Sequence, residues 1–300
     1  QLRNGALPVL EMPLDFARPA AQSFNGNRAP VTISSTVASK LVTQANASAT
    51  AFQVVLALWS TLLCRHAAQE EVVVGSAYHG RDAVGTENLI GCFINVLALR
   101  IDVPRASNVA SVIRCAKETV SQSMQHGALP FQQIVNELLP HLARDASRNG
   151  VFQAMIGWGV ASDAINDGRE LADAVTLHRV QSIEKQHAKA ELSLQGIMMN
   201  TASAFDGSVE FNTDLFVHES IERLAARLAV LAASMAEASA DEEVWAVPMM
   251  PSDEAERVLW TFNDTSAAFL TNSSIYDLVM ERASRTPDAM VLEWQRGMMT

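Results

Sequence analysis

The chain has little to staple or ligate with. Three cysteines stand among its 300 residues, Cys64, Cys92 and Cys115, an odd number with no Cys-x-x-Cys pair. Cys64 and Cys115 fall in apolar helical patterns and Cys92 at a strand start, so reduced, mostly buried thiols are expected. Seven histidines are scattered and no two are adjacent, which offers no metal cluster. Basic residues are also scarce. Against 33 Asp and Glu stand 22 Lys and Arg, a net charge of −11, with no basic cluster to neutralise a run of phosphates. Nucleic acid is excluded as a natural partner on that ground, and anionic membrane surfaces are repelled. No run of 18 apolar residues is present to span a bilayer, and no signal peptide opens the chain. A cytoplasmic location is expected.

Several standard catalytic devices are missing too. There is no GxxxxGK[ST] phosphate loop, no GxGxxG after a strand, no GxSxG nucleophile elbow and no HExxH. Each isolated histidine reads first as structural or solvated.

What is present is a core. Apolar residues make up 49% and charged residues 18%, a composition that buries its own interior. Prolines at 8, 13, 19 and 30 predict an extended lead-in over residues 8–30. A short strand follows over 30–36, then a helix over 37–46 capped by Ser35. TAFQVVLALWSTLLCRHA (50–67) is apolar nearly all round and predicts a deeply buried helix. EVVVGSAY (71–78) has the β-branched run of a central strand. A polar loop over 79–88 leads to a second strand, FINVLALRIDV. Ser107 caps a helix over 108–126, and Pro130 opens another over 130–139. VFQAMIGWG returns to strand, residues 160–174 form a polar loop, and LHRVQSI, AELSLQGIMM and GSVEFNTDLF are strands. The last two pair as a hairpin through FDG. ESIERLAARLAVLAASMAEAS (219–239) is a long amphipathic helix. Strands alternating with helices predict an α/β or α+β fold, a mixed sheet covered by helices.

One stretch raises a chemical question. LIGCFINVLALRI (89–101) reads as a buried strand, yet Asn95 sits in its middle. Either its amide is satisfied by neighbouring backbone, or it is aimed at something that binds or reacts. Strand alternation puts Phe93, Asn95, Leu97 and Leu99 on one face, where an unbonded amide would cost roughly 1–3 kcal/mol.

The polar patterns occur in a recognisable order. Met12 to Pro19 reads MPLDFARP. Ile90-Gly91-Cys92-Phe93-Ile94-Asn95 ends at Arg100. His126 to Gln132 reads HGALPFQ, and Arg144 to Val151 reads RDASRNGV. FNDTSA (262–267) and RTPDAMVLEW (285–294) close the series. Together they resemble the C-terminal half of a nonribosomal peptide synthetase condensation domain, followed by a linker and the first residues of an adenylation (AMP-binding) domain. The family patterns are LPxDxxRP, IGxFVNTxxxR, HQDxPFE and RDxSRNPL. Here Val96 stands for Thr, Gly127 and Ala128 for Gln and Asp, Gln132 for Glu, and Gly150 for Pro. The family's HHxxxDG signature is not in these 300 residues.

The resemblance implies one lobe of a chloramphenicol acetyltransferase-like fold. It divides the chain into a lead-in over 1–30, a lobe over 31–240, a linker over 241–273 and a truncated adenylation start over 274–300. The ends read as cuts from a longer polypeptide. The implied reaction is amide formation between carrier-bound thioesters, in a tunnel between two lobes. The isolated chain would then be inactive, its catalytic His lying on the other lobe. No cofactor binds directly; the phosphopantetheine arms belong to the carrier domains. The implied partners are those carriers, the N-terminal lobe and the adenylation domain. Asn95, Phe93, Gly91 and Trp158 become tunnel candidates, Asn95 contacting the pantetheine or thioester region, with a backbone-bonded Asn95, a turn Gly91 and a packed Trp158 as the plainer readings. Arg81 reads as a loop brace with Glu87 as its potential partner, and Arg100 as a solvated or paired strand end rather than a ligand contact. Pro130 and Phe131 read as a helix start and a core aromatic, and His126 as part of that motif. Arg144, Asp145, Ser147 and Arg148 read as an ion-paired loop or a carrier-facing surface. A non-catalytic lobe that docks a carrier or partner chain is the alternative, and an epimerization domain of the same fold a third reading.

Overall fold

A computed structural model describes residues 7–44, 49–86, 88–138, 145–160, 169–172, 175–177, 187–198, 205–268, 273–290, 292–294 and 297–299. The chain divides into two compact units, Gln1–Pro251 and Ser252–Thr300.

The first unit is built on a six-stranded mixed sheet. Its strands are β1 (Gly26–Ile33), β2 (Glu71–Tyr78), β3 (Asn95–Asp102), β4 (Ala154–Val160), β7 (Leu192–Met198) and β8 (Phe205–Asn212), in the order β1-β8-β7-β4-β2-β3. A small separate hairpin joins β5 (Arg169–Ala172) to β6 (Val175–Leu177). The three middle strands β7, β4 and β2 run parallel; β3, β8 and β1 add antiparallel partners at the two sides.

Helices α1 (Ser35–Gln44), α2 (Ala51–Ala67), α3 (Val109–Gln125) and α5 (His218–Glu237) pack on one face. The period of two explains which residues meet them. Val31 and Ile33 of β1, Val209 and Phe211 of β8, Leu192 and Leu194 of β7, Val72 and Val74 of β2, and Leu99 and Ile101 of β3 all enter the main core. Helix α2 lies inside this layer, against α1, α3, α5 and β2, so twelve consecutive residues from Gln53 to Cys64 are buried. A helix with no solvent face has no use for an amphipathic pattern, hence its apolar circumference.

The opposite face is different. A small second cluster of Leu7, Val73, Ala98, Val151 and Phe152 lies on it, with Val96, Phe131, Val135 and Met155 packed around. Helix α4 (Phe131–Leu138) supplies two of those residues. The chain therefore leaves α3 on one face, rounds the edge strand β3, and starts α4 on the other.

Local details depart from the expectations. Helix α1 begins at Ser35, and the hydroxyl of the preceding Ser34 accepts from the Val37 N–H at 3.4 Å. Helix α3 is capped by Asn108, not Ser107; Asn108 and Ser111 exchange side-chain-to-backbone bonds of 2.8 and 3.0 Å in a capping box. Asn108 has the extended backbone, φ −100° and ψ 169°, that a cap requires just before the first turn. Phe205, Asp206 and Gly207 belong to strand β8 and are not the turn. The ring of Phe205 needs bare backbone beneath it: a Cβ on Gly196 or Gly207 would lie 2.0 or 2.8 Å from it. Arg169–Ala172, expected in a loop, is a short strand. Strand β3 starts at Asn95, two residues later than its apolar run.

Residues 241–251, expected as linker, are anchored to the first unit. Val244 and Val247 are fully buried, Arg65 donates to the Val244 carbonyl at 3.2 Å, and the Trp245 indole donates to the Val103 carbonyl at 3.0 Å. The second unit holds α6 (Ser252–Glu256), a π-helical turn (Arg257–Thr261), α7 (Ile275–Arg285) and a hairpin of β9 (Leu292–Trp294) and β10 (Gly297–Met299). Helix α7 opens with a capping box between Ser274 and Asp277 and has no buried residue.

Candidate functional site

Asn95 heads the edge strand, and both N–H donors of its amide are taken. Its Nδ2 donates to the carbonyls of Gly127 and Leu129 at 2.8 and 2.7 Å, and its Oδ1 accepts from the Phe131 N–H at 3.0 Å. Three backbone groups of the α3–α4 crossing hang on one side chain. A crossing has no ladder to satisfy its polar backbone, so a side-chain amide with both donor and acceptor replaces one.

Gly127 in that crossing is buried against Tyr78, the last residue of β2 and the partner of Asn95 in register. A Cβ at Gly127 would lie 2.6 Å from the Tyr78 ring. The Tyr78 hydroxyl in turn donates to Asp82. Glycine at 127 is thus the residue that admits this tyrosine. His126, just before it, ends α3, its own N–H bonded to the Ser123 carbonyl at 3.1 Å, with its ring exposed.

The β2–β3 loop is organised by Arg81. Its guanidinium donates to the carbonyls of Thr86, Leu89 and Gly91 and lies 4.4 Å from the centroid of the Phe93 ring. Bonds to carbonyls with an aromatic below use the planar fork of arginine, which lysine lacks. Gly80 has φ 64°, and a Cβ there would lie 2.1 Å from the Phe93 carbonyl oxygen. The loop's apolar side chains turn outward: Val84, Leu89, Ile90 and Ile94 are exposed, as are Met124 and Leu129 beside the crossing.

The remaining candidates fall elsewhere. Arg100 pairs with Glu71 through two nitrogens, the Nε contact being 2.9 Å. Pro130 accepts the Gln133 N–H at 2.9 Å at the start of α4, and the Phe131 ring packs 5.5 Å from that of Phe152. Trp158 is in β4 opposite Gly196, but its side chain lies outside the described residues, as do Arg144 and Glu87.

Asp145, Ser147 and Arg148 engage the lead-in. Asp145 accepts from the Ser147 N–H at 2.9 Å and from its hydroxyl, and is ion-paired with Arg148 at 2.9 Å; Arg148 also reaches Glu11 at 2.8 Å. The Ser147 bonds, then Arg148, hold the Asp145 carboxyl below its ordinary value. Beside them Arg18 makes a bidentate pair with Glu191 at 2.7 and 2.9 Å, the two side chains only 13% and 5% exposed. The bond to Glu191 raises the Arg18 pKa despite partial burial. Asp15 bonds the Val217 N–H and the Ser220 hydroxyl at 3.0 and 2.9 Å, capping α5 from a distant segment. Gln153, buried, accepts from the Leu10 N–H at 2.7 Å.

The sequence reading marked Asp15 and Arg18 only as motif positions and missed Tyr78, Gln153 and Glu191. A lone Glu at the head of an apolar strand, AELSLQ, was the one usable signal, since a buried carboxylate requires a cationic partner. Among the thiols, burial pushes Cys64 up to about 12, so it stays protonated at neutral pH, while Cys92 is exposed. Among the described residues no cluster of three His, Cys, Asp or Glu is arranged to hold a metal ion, and no helix is long and apolar enough to cross a membrane.

Comparison with known proteins places this framework. Residues 1–259 match the model of the Condensation domain. The chain is 30% identical over 287 residues to tyrocidine synthase 2 of Brevibacillus parabrevis, covering 95% of this chain and 8% of the relative. It is 29% identical to surfactin synthase subunit 1 of Bacillus subtilis (strain 168), 99% against 8%, and 30% identical to malpibaldin synthetase of Mortierella alpina, 94% against 5%. The chain thus spans less than a tenth of the length of these curated relatives. Among solved structures, a four-domain nonribosomal peptide synthetase bound to AMP and glycine superposes with a TM-score of 0.78 at 21% identity, covering 95% of this chain and 22% of that one. The condensation domain from a monacolin K polyketide synthase gives 0.63 at 18% identity, with 80% and 55% covered.

Proposed function

The chain belongs to the condensation-domain family, and from that premise we propose that it is the C-terminal lobe of a condensation domain in a nonribosomal peptide synthetase. The reaction would be amide formation between aminoacyl or peptidyl groups carried as thioesters on phosphopantetheine arms. The observation that carries this reading is the family match over residues 1–259.

On this reading residues 79–95 and 126–131 form one wall of a tunnel, and carrier domains deliver the two thioesters from opposite ends. The second His of an HHxxxDG segment outside these 300 residues orients or deprotonates the attacking amine. The principal gain is positioning: two tethered reactants meet at high effective concentration in a dry channel. The chain's own contribution is a rigid wall. Arg81 ties the β2–β3 loop by its carbonyls, and Asn95 ties the α3–α4 crossing. With both its N–H donors so occupied, Asn95 shapes the wall and offers the thioester no N–H. Gly91 and Phe93 form the tunnel side of the loop. At Gly127, Tyr78 occupies the space a side chain would take. Residues 274–300 would open an adenylation domain, and the whole assembly would be cytoplasmic.

Reading the coding DNA before the codon for Gln1 tests this directly. An in-frame HHxxxDG a lobe's length away is expected; a stop codon or an unrelated domain would overturn the proposal. The 300 residues alone should form no amide from two carrier-bound aminoacyl thioesters, whereas a polypeptide including the HHxxxDG segment should.

A further inference from the structure

Resting on that condensation reading, we propose that His79 is a positioning donor, presenting its Nε2–H to a carbonyl oxygen of the tethered thioester or its pantetheine arm. His79 immediately follows β2, whose last residue Tyr78 is paired with Asn95. Its Nδ1 accepts the Arg81 backbone N–H at 3.0 Å. Only an unprotonated nitrogen can accept, so the proton of the neutral ring is on Nε2. The ring also lies against that of Tyr78, centroids 5.0 Å apart and planes at 35°. Tyr78 is itself buried, and its hydroxyl is held by Asp82.

Gly80 fixes the next link. Its positive φ and its close approach to the Phe93 carbonyl tie His79 to the Gly91–Phe93 segment, the proposed tunnel wall. His79 is nevertheless exposed, and Nε2 has no partner among the described residues. A donor is therefore oriented from two sides before any ligand arrives, which removes the ordering cost from the binding step. By contrast, His66 is engaged by Arg227 and His218 by Glu222. Because Nδ1 is taken and Nε2 carries the proton, neutral His79 has no free lone pair to accept a proton. Its role is donation to a carbonyl, not general base catalysis.

The two functions of the ring can be separated by substitution. Asparagine can keep the acceptor for the Arg81 N–H but lacks the distal donor; glutamine can keep an N–H near the Nε2 position. The measurement is single-turnover amide formation by the polypeptide that contains this chain in its natural reading frame, its carrier domains loaded with aminoacyl-pantetheine. His79→Ala and His79→Asn should each slow the reaction about tenfold, the loss of one hydrogen bond, with the thermal midpoint unchanged. His79→Gln should recover most of the rate. Nitrogen-15 NMR of the 300-residue chain at pH 8 should show the Nε2–H tautomer at His79. A wild-type polypeptide that forms no amide overturns the condensation reading, and this role with it. An active wild type matched by His79→Ala overturns the His79 proposal alone. So does an equal loss in the Ala, Asn and Gln variants, or an Nδ1–H tautomer.

Discussion

Two polar networks in the first unit solve the same problem by different means. At the lead-in, charges neutralise one another: Arg18 with Glu191, and Arg148 with Asp145 and Glu11. At the strand ends, Arg81 and Asn95 bind backbone carbonyls, and among the described residues neither side chain meets a carboxylate. The first arrangement leaves no unpaired charge and holds a chain segment in place. The second spends its donors on loop backbone, which leaves the loops' apolar side chains and the His79 ring facing outward. A surface with fixed backbone and outward side chains is suited to contact with another molecule. The comparison teaches that the lead-in network serves stability and the strand-end network serves shape.

That contrast can be broken most sharply at Glu191. Glu191→Leu leaves the Arg18 guanidinium nearly buried without its counter-charge, and about 3–5 kcal/mol of stability should be lost in urea unfolding. The double change Arg18→Met, Glu191→Leu should recover most of it. If the single variant unfolds at the wild-type urea concentration, the lead-in pair is not a stability element.

Asn95→Ala should cost less, about 2 kcal/mol, because the freed groups of Gly127, Leu129 and Phe131 partly reach water. Its sharper signature is local. Hydrogen exchange at the Phe131 amide should quicken while amides of α2 hold their wild-type rates. Uniformly faster exchange would place Asn95 with the global stability elements and erase the distinction.

Asp145 offers the smallest effect. Its carboxyl titrates below the ordinary value in the folded chain, so its contribution is present above the unfolded pKa and is lost as pH falls through the folded one. Asp145→Asn should lower the urea midpoint slightly at pH 7. The difference should shrink below about pH 4, where unfolded carboxylates protonate. A difference that persists once the carboxyl is protonated would mean the substitution disturbs the loop by some other route.

Much of this architecture was legible residue by residue. Helix α2 was plain from TAFQVVLALWSTLLCRHA, and its buried span of Gln53 to Cys64 follows from having no polar face. Strand β2 was plain from its valine run, and α5 from its amphipathic period. The caps were placed within one residue, because adjacent Ser-Ser and Ser-Asn pairs offer the same chemistry and only the local backbone selects between them. Asn95 was legible as an anomaly, but its partners were not: Gly127, Leu129 and Phe131 lie more than thirty positions away, beyond any local period. Tyr78 gave no signal at all, since its meaning depends on a glycine in another loop.

The local pattern of apolar and polar residues determined the elements, because side-chain period and backbone conformation are set within a few residues. Motif order was enough to mark the family resemblance. Only the tertiary structure decided the sheet order, in which Gly26 pairs with Asn212, and with it which face carries the helices. It alone brought Arg18 to Glu191 and the α3–α4 crossing to Asn95. Pairings across such separations cost chain entropy that no local sequence offsets, and they form only because the whole core is buried at once.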